Sequence, residues 1–275
     1  MPDELLVKPA SGNHAIEVMA LAVEWGRPLG AEVISAIRAM WNDSKTLQDF
    51  LPKIEVLQGI TVSIGTDGPT VGAAEVSGLQ LSRTRDDGSP MWIVHIRPEL
   101  LSCSCMEYDR WDTTKAKALE VLMPIIDLAV AGNYPLQAVG VQYQDAFRVT
   151  TASPMAATSR LFASDTSWLS SQIWTQEYPW HVHQGWFSAG LGGRLVQNVL
   201  NVDVTADEQG CLFRINGQHR MLTVNQTSSD TVSSIQSADV SVALDYLHMD
   251  NKRALSQLLS AKVCSQIGLN FVESK

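Results

Sequence analysis

Apolar residues in this chain follow two kinds of spacing, one typical of strands and one typical of helices. From Ala15 to Trp25 they occupy both alternating sets of positions, which indicates a strand buried from two sides. Between Ala31 and Trp41 they recur at helical spacing, and Asp43 is a candidate cap for a short helix that ends before Pro52. A strand pattern returns from Glu55 to Ile64.

A hairpin and a long helix are predicted next. Asp87-Gly88 separates two alternating segments and predicts a hairpin, because a tight turn requires positive φ values that Gly and Asp tolerate. Asp112 is the candidate N-cap of a helix from Thr113 to Ala131, bent at Pro124 and ended by Gly132 in a left-handed conformation. A half-exposed strand from Val139 to Val149 follows, with Asp145 on its apolar face.

Strand patterns dominate after a candidate boundary at Thr150 to Ser159, which is small, polar and contains proline. The glycines from Gly190 to Gly193 lie between two predicted strands, so they indicate a hairpin loop and not a phosphate-binding turn before a helix. Asn216-Gly217 predicts a second hairpin. The remaining predictions are strands at Trp180–Ala189, Arg194–Val204 and Asp239–Tyr246, an exposed loop or irregular edge strand at Asn225–Ser237, and a helix at Asn251–Ile267 stopped by Gly268.

Together these patterns predict an α+β fold of two halves, each an antiparallel β-meander packed against a long α-helix. Residues 1–150 have the order strand, helix, meander, helix, strand, and residues 151–275 form a β-rich half with a C-terminal helix. Packing a helix layer on a sheet is a common way to bury one face of the sheet.

Charge and composition disfavour some functional classes. The 20 Lys and Arg residues against 29 Asp and Glu residues give a formal charge of -9, and the arginines are scattered, which opposes binding to nucleic-acid phosphates. The acidic start Met1-Pro2-Asp3-Glu4 differs from a signal peptide, so we expect a cytoplasmic protein. The apolar run from Leu119 to Ala131 is shorter than the roughly 20 residues that span a bilayer, so no membrane segment is expected.

The cysteines show no CxxC spacing. Cys103 and Cys105 would point the same way from a strand and could be half of a metal site, but small thiols more often fill core space. No metal and no cofactor is predicted.

The densest group of aromatic and titratable residues runs from Trp180 to Phe187. On a strand, His181 and His183 share one face and could ligate a metal with a distant carboxylate, although a third ligand is missing nearby. His183 with Trp180 and Trp186 could instead form a stacking surface for a planar ligand or a partner's cation, or these aromatic and His side chains could simply cover a sheet face.

A second group lies in Leu244-Asp245-Tyr246-Leu247-His248. Asp245 and His248 could act as an acid/base pair, because a carboxylate can orient a neighbouring imidazole, but no nucleophile accompanies them. A hydrogen-bond network at the entry of a helix, with Asp250 as its cap, explains the same residues without catalysis.

The chain resembles a sporadically distributed prokaryotic family of proteins of unknown function and of about this length. The resemblance depends on the N-terminal strand, on Tyr108 to Trp111, on Val141-Gln142-Tyr143-Gln144-Asp145 and on the tail that begins at Leu244. The family usually carries Asn where this chain has Asp145. The resemblance supports the fold prediction and implies no activity.

We therefore expect a cytoplasmic, non-catalytic binding or assembly module. Its predicted recognition surface is Trp180, His181, His183 and Trp186, with Asp245 and His248 as further binding candidates, and its predicted partner is another protein or a second copy of the chain. A small-molecule ligand is compatible with the same residues. The alternative is a metal-assisted hydrolase that uses His181 and His183, or an acid-base site at Asp245 and His248.

Overall fold

The computed structural model describes residues 6–12, 14–59, 62–65, 68–71, 75–223 and 235–269. Within these ranges the protein is α+β, with a ten-stranded antiparallel sheet, a separate two-stranded sheet and six α-helices. The strands are β1 (Val7–Pro9), β2 (Ile16–Trp25), β3 (Lys53–Gly59), β4 (Val62–Gly65), β5 (Gly68–Val71), β6 (Glu75–Thr84), β7 (Pro90–Ile96), β8 (Leu100–Cys105), β9 (Leu136–Val149), β10 (His181–Ala189), β11 (Leu195–Asp207) and β12 (Gly210–Leu222). The helices are α1 (Ala31–Asp43), α2 (Lys45–Phe50), α3 (Trp111–Ala131), α4 (Pro154–Leu161), α5 (Val240–Leu258) and α6 (Ala261–Gln266).

The strand order of the large sheet is β10-β11-β12-β9-β2-β8-β7-β6-β3, and β1 pairs with β9 beside this path. The chain divides into two compact units. Unit 1 contains residues 1–19, 140–232 and 241–275, and unit 2 contains residues 20–139 and 233–240. These bounds differ from the predicted halves 1–150 and 151–275, because the chain passes between units inside β2 and β9.

Unit 2 contains the predicted hairpin and the predicted long helix. Arg83 pairs with Trp92 across β6 and β7, and Gly88 has a φ of 84° in the turn between them, as Asp87-Gly88 predicted. Helix α3 begins at Trp111, so the predicted cap Asp112 lies inside its first turn. The predicted left-handed Gly132 is wrong: its φ is -76°, and Asn133 takes the positive value of 64°.

The helix start near residue 43 also differs by one position from the prediction. Ser44, not Asp43, caps α2, and its side chain accepts a hydrogen bond from the Leu47 N–H at 3.3 Å. Cys103 and Cys105 are buried on β8, which confirms that they fill the core. Burial raises the pKa of the Cys103 thiol far above its usual range and that of Cys105 to about 11.

Unit 1 is built on the meander β10-β11-β12. Its apolar core combines inward residues of these strands with side chains from α4, α5 and α6, including Phe162, Phe213 and Leu258. The loop from Gly190 to Gly193 joins β10 to β11 as predicted, with positive φ at Gly192 and Gly193.

Three predictions in unit 1 are wrong. Asn216 and Gly217 lie within β12, and the turn between β11 and β12 is closed by Gly210, whose φ is 113°. Residues 240–246 belong to helix α5 and not to a strand, because their apolar side chains follow helical spacing once the whole helix is considered. The predicted helix from Asn251 to Ile267 is interrupted near Ser260, which caps α6 through the Val263 N–H at 3.4 Å.

The predicted loop Asn225–Ser237 falls largely outside the described residues. None of the helices in the described ranges has the length and apolar character needed to cross a membrane.

Candidate functional site

Strand β10 and Trp180 directly before it place the four predicted recognition residues on two different faces. His181 and His183 are exposed on the outer face, whereas Trp180 and Trp186 are half-buried on the inner face, where they pack against the core of unit 1. Successive side chains of a strand point to opposite faces, so residues 181 and 183 separate from residues 180 and 186. The structure therefore does not join all four into one surface.

The two tryptophans have different neighbours. Trp180 contacts Phe162 and Phe213 with ring centroids 6.2 and 6.3 Å away, and its Nε1 donates to Thr158 Oγ1 at 3.3 Å. Trp186 packs on Trp168 with 4.4 Å between centroids. Trp180 is thus part of the core, and Trp186 belongs to an indole pair.

The outer face around the two histidines is polar. His181 lies opposite Asp203 and His183 lies opposite Asn201 on β11. Over the described part of the chain, no group of three or more His, Cys, Asp or Glu side chains could hold a metal ion.

The inner face carries a buried row of polar residues beside Trp186. Trp186 pairs with Asn198 on β11, and Asn198 pairs with His219 on β12. Asn198 and His219 are each 2% exposed, and Asn251 on α5 is 4% exposed. The sheet and the helix thus meet through a polar network inside the core of unit 1.

Each member of this network has partners. His219 Nδ1 lies 2.7 Å from Asn198 Oδ1, and His219 Nε2 lies 3.2 Å from the Asn251 side chain. The Asn198 amide nitrogen donates to Ser188 Oγ at 3.0 Å and to the Val196 carbonyl at 3.2 Å. Buried polar groups are stabilised when they are paired in this way.

The protonation state of His219 follows from these bonds. Burial lowers the pKa of His219 to about 4, so its ring is neutral near pH 7. Both donor positions of the Asn198 amide are used, so its oxygen must accept, and Nδ1 carries the proton. Nε2 must then accept from the Asn251 amide nitrogen. The two ends of this amide are distinguished only by their hydrogen bonds, so it turns its nitrogen and not Oδ1 toward the ring.

Helix α5 places a second set of polar side chains opposite this row. Arg253 donates to Asp250 Oδ1 and forms an ion pair with this residue, which lies one turn earlier on the helix. The Asp250 side chain is only 10% exposed and that of Arg253 is 48% exposed. Burial raises the pKa of Asp250, and the neighbouring Arg253 opposes that rise.

A cavity of about 190 Å³ lies between these two sets of residues. Its sheet side includes Trp186, Asn198 and His219, and its helix side includes Asp250 and Arg253. This volume is below the roughly 300 to 1,000 Å³ typical of pockets for drug-sized ligands, so the cavity suits a small molecule or a single side chain.

The hydroxyl of Tyr246 fixes α5 beside β10. It donates to the Ala189 carbonyl at 2.9 Å, and Tyr246 also lines the cavity. Gln257, one turn beyond Arg253 on the same helix, accepts from Trp168 Nε1 at 3.2 Å. The indole pair and the helix are therefore held in a defined geometry around the cavity.

The other predicted pair, Asp245 and His248, is half-buried on α5. His248 Nδ1 lies 2.8 Å from the hydroxyl of Tyr143, which is 1% exposed on β9. The structure thus gives His248 a phenol partner between helix and sheet. Neither residue lines the cavity beside Trp186.

Asp145 lies two residues beyond Tyr143 on β9 and is 4% exposed. Burial alone raises the pKa of the Asp145 carboxyl to about 7. The described residues supply no hydrogen bond or ion pair to this carboxyl. The predicted placement of Asp145 among apolar residues is confirmed.

Sequence reasoning missed the cavity and its network. His219 and Asn198 stand at the buried positions of their strands, a signal present in the alternation of β11 and β12. Because a hairpin was predicted at Asn216-Gly217, the alternation of β12 was not followed through to His219, and its buried position was not predicted.

The backbone of β10 has one side without a partner strand in the described part of the chain. β10 and β3 are the two ends of the strand order. The Val204 N–H donates to the Trp180 carbonyl at 2.9 Å, so even-numbered residues of β10 exchange hydrogen bonds with β11. The N–H and C=O groups of odd-numbered residues such as His183, Gly185 and Phe187 point away from β11.

Neither protein-family models nor curated proteins give a match to this chain.

Proposed function

We propose that this protein is a non-catalytic binding and assembly module that pairs two copies of the chain through strand β10. The observation that carries the proposal is the row of outward N–H and C=O groups on β10, at the end of the sheet order, in which the Ala189 carbonyl at the end of the strand accepts from Tyr246. His181, His183 and Phe187 are exposed along this strand, and Phe187 is 58% exposed. Unpaired strand edges of this length are templates for adding another strand.

A contrast within the chain supports the choice of β10. The other terminal strand, β3, includes Lys53 and Glu55 and has a register shift at Leu57 and Gln58. Charged residues and bulges are the usual protection against edge-to-edge pairing. The sequence of β10 contains no Asp, Glu, Lys or Arg, so two copies of this strand can meet without charge repulsion despite the formal charge of -9.

The hydrogen-bond pattern also fits a second copy. An antiparallel pair with its two-fold axis at Gly185 places odd-numbered residues opposite odd-numbered residues, and these are the residues whose backbone groups point outward. His183 then faces Phe187 of the other copy, an aromatic cross-strand pair of the kind that stabilises sheets. The exposed Gly185 leaves the axis free of side chains.

The test is the mass in solution. Sedimentation of the full chain at about 100 µM should give twice the chain mass of 30.1 kDa. His183→Pro removes an outward N–H and no β11 hydrogen bond, so it should give a monomer with an unchanged far-UV spectrum. Phe187→Lys keeps the whole backbone and should weaken dimerisation at least tenfold.

Val56→Lys is the matched control, because Val56 is 37% exposed on β3 and its change should leave the dimer intact. A monomeric wild-type protein at this concentration rules out the proposal. So does a dimer that dissociates in Val56→Lys and persists in Phe187→Lys, since that result assigns the interface to β3.

A further inference from the structure

The cavity beside Trp186 has a charge pattern that restricts what it can bind. Asp250 and Arg253 lie on its helix side and form an ion pair, so the two charges balance. A cation would have to displace Arg253 from Asp250, and an anion that captured Arg253 would leave the Asp250 carboxylate without this ion pair. Such an uncompensated charge is costly for Asp250, whose side chain is 90% buried.

A zwitterion avoids this cost. Its ammonium group can take the place of the Arg253 guanidinium on Asp250, while its carboxylate forms a bidentate pair with Arg253. Arg253 is 48% exposed, so it has room to turn toward a carboxylate at the cavity mouth. Each charge of the zwitterion then meets a charge of opposite sign on α5.

Other residues that line the cavity supply apolar surface and a few hydrogen-bonding groups. Trp168 and Trp186 line it with their indoles. Ser188 Oγ accepts from Asn198, so its own proton is available to a ligand. The Gln257 side chain accepts from Trp168 through its oxygen and keeps its amide N–H groups for donation.

We propose that this cavity binds a small zwitterion of the α-amino acid class with an apolar side chain, which holds its ammonium group on Asp250, its carboxylate on Arg253 and its side chain against Trp168 and Trp186. Asn198 and His219 form the floor of the cavity, and their bonds to each other and to Asn251 behind them leave little capacity for polar ligand groups. That floor favours an apolar side chain over a polar one. The site is independent of the strand pairing through β10.

Binding of three matched probes tests the proposal. L-phenylalanine carries both charges, phenethylamine only the ammonium group, and 3-phenylpropanoate only the carboxylate. Titration of the full-length chain, followed by tryptophan fluorescence and calorimetry, should give saturable binding of L-phenylalanine or of the smaller L-leucine. Each singly charged probe should bind at least tenfold more weakly.

Variants on α5 assign the binding to this cavity. Asp250→Asn and Arg253→Gln should each weaken amino-acid binding at least tenfold, whereas Asp245→Asn, on the same helix outside the cavity, should leave it unchanged. Phe187→Lys should also bind normally, so loss of the dimer and loss of the ligand are separate results. The proposal fails if neither amino acid binds at 10 mM, or if a singly charged probe binds as well as the zwitterion.

Discussion

His219 and Asp145 are two buried titratable side chains in the same unit, but they differ in their hydrogen-bond partners. His219 has a side-chain partner at each ring nitrogen. Asp145 is equally buried, and the described residues give its carboxyl no such partner. Burial favours the neutral form of both side chains. At pH 7, however, only His219 is both neutral and hydrogen-bonded.

The difference is instructive because burial shifts the two pKa values in opposite directions. Burial lowers the pKa of His219 to about 4 and raises that of Asp145 to about 7. Desolvation disfavours the charged form in each case, which is cationic for His and anionic for Asp. Pairing makes His219 part of the cavity floor, whereas Asp145 remains a local source of instability.

The largest effect is expected from removing a partner of His219. Asn198→Ala should lower the free energy of unfolding by about 3 kcal/mol, because it leaves the Nδ1 proton buried without an acceptor and opens a small void. Urea unfolding measures this loss. Asn201→Ala on the outer face of the same strand is the control and should cost no more than about 0.5 kcal/mol. Equal losses in the two variants would contradict the role assigned to the network.

Sequence patterns predicted the elements well where one local signal dominated. Asp87-Gly88 between alternating segments was sufficient for the β6-β7 hairpin, and helical spacing was sufficient for α1 and α3. The same type of signal failed at Asn216-Gly217, because the strand partner and not the turn propensity decides where a long strand ends. Gly217 lies where Asn251 approaches the sheet, a contact that no local pattern encodes.

The candidate site was predictable only in part, because it combines residues far apart in sequence. Trp186 was identified from the aromatic cluster, and it lines the cavity. Its neighbours Asn198, His219 and Asp250 are joined to it by strand register and by the packing of α5, which depend on the whole fold. His181 and His183 were correctly placed together on one face, but alternation put both tryptophans on the other.

A second prediction concerns Asp145. Its unfolded-state pKa is about 4, so between roughly pH 4 and 7 the folded protein holds a proton that the unfolded chain has lost. Its favourable contribution is complete below pH 4 and is lost as the pH rises through 7. Asp145→Asn removes this loss and should stabilise the protein by on the order of 2 kcal/mol at pH 8, with almost no effect at pH 4.

Unfolding free energies of wild type and variant across this range measure the effect. His219 acts with the opposite sign, because acidification from about pH 6.5 to 4 favours the unfolded chain, in which the imidazole is protonated. The wild type should therefore show a flatter profile than Asp145→Asn, which keeps only the His219 trend. Asp203→Asn, an exposed carboxylate on β11, should reproduce the wild-type profile. If the difference in unfolding free energy between Asp145→Asn and wild type is the same at pH 8 as at pH 4, the Asp145 carboxyl is solvated and the prediction is wrong.

The smallest effect, and the most specific, is expected at Gly217. A Cβ atom there would lie 2.5 Å from the end of the Asn251 amide that contacts His219, so Gly217→Ala must displace this amide. Displacement should cost about 1 kcal/mol, because His219 Nε2 loses its partner while Nδ1 keeps Asn198.

In an Asn251→Ala background the same change has nothing to displace, and it should become neutral or slightly stabilising, since glycine weakens strand interiors. A double-mutant cycle of unfolding free energies measures this coupling. A penalty that is the same in both backgrounds would place the strain in the backbone of β12 and would separate Gly217 from the network that makes His219 different from Asp145.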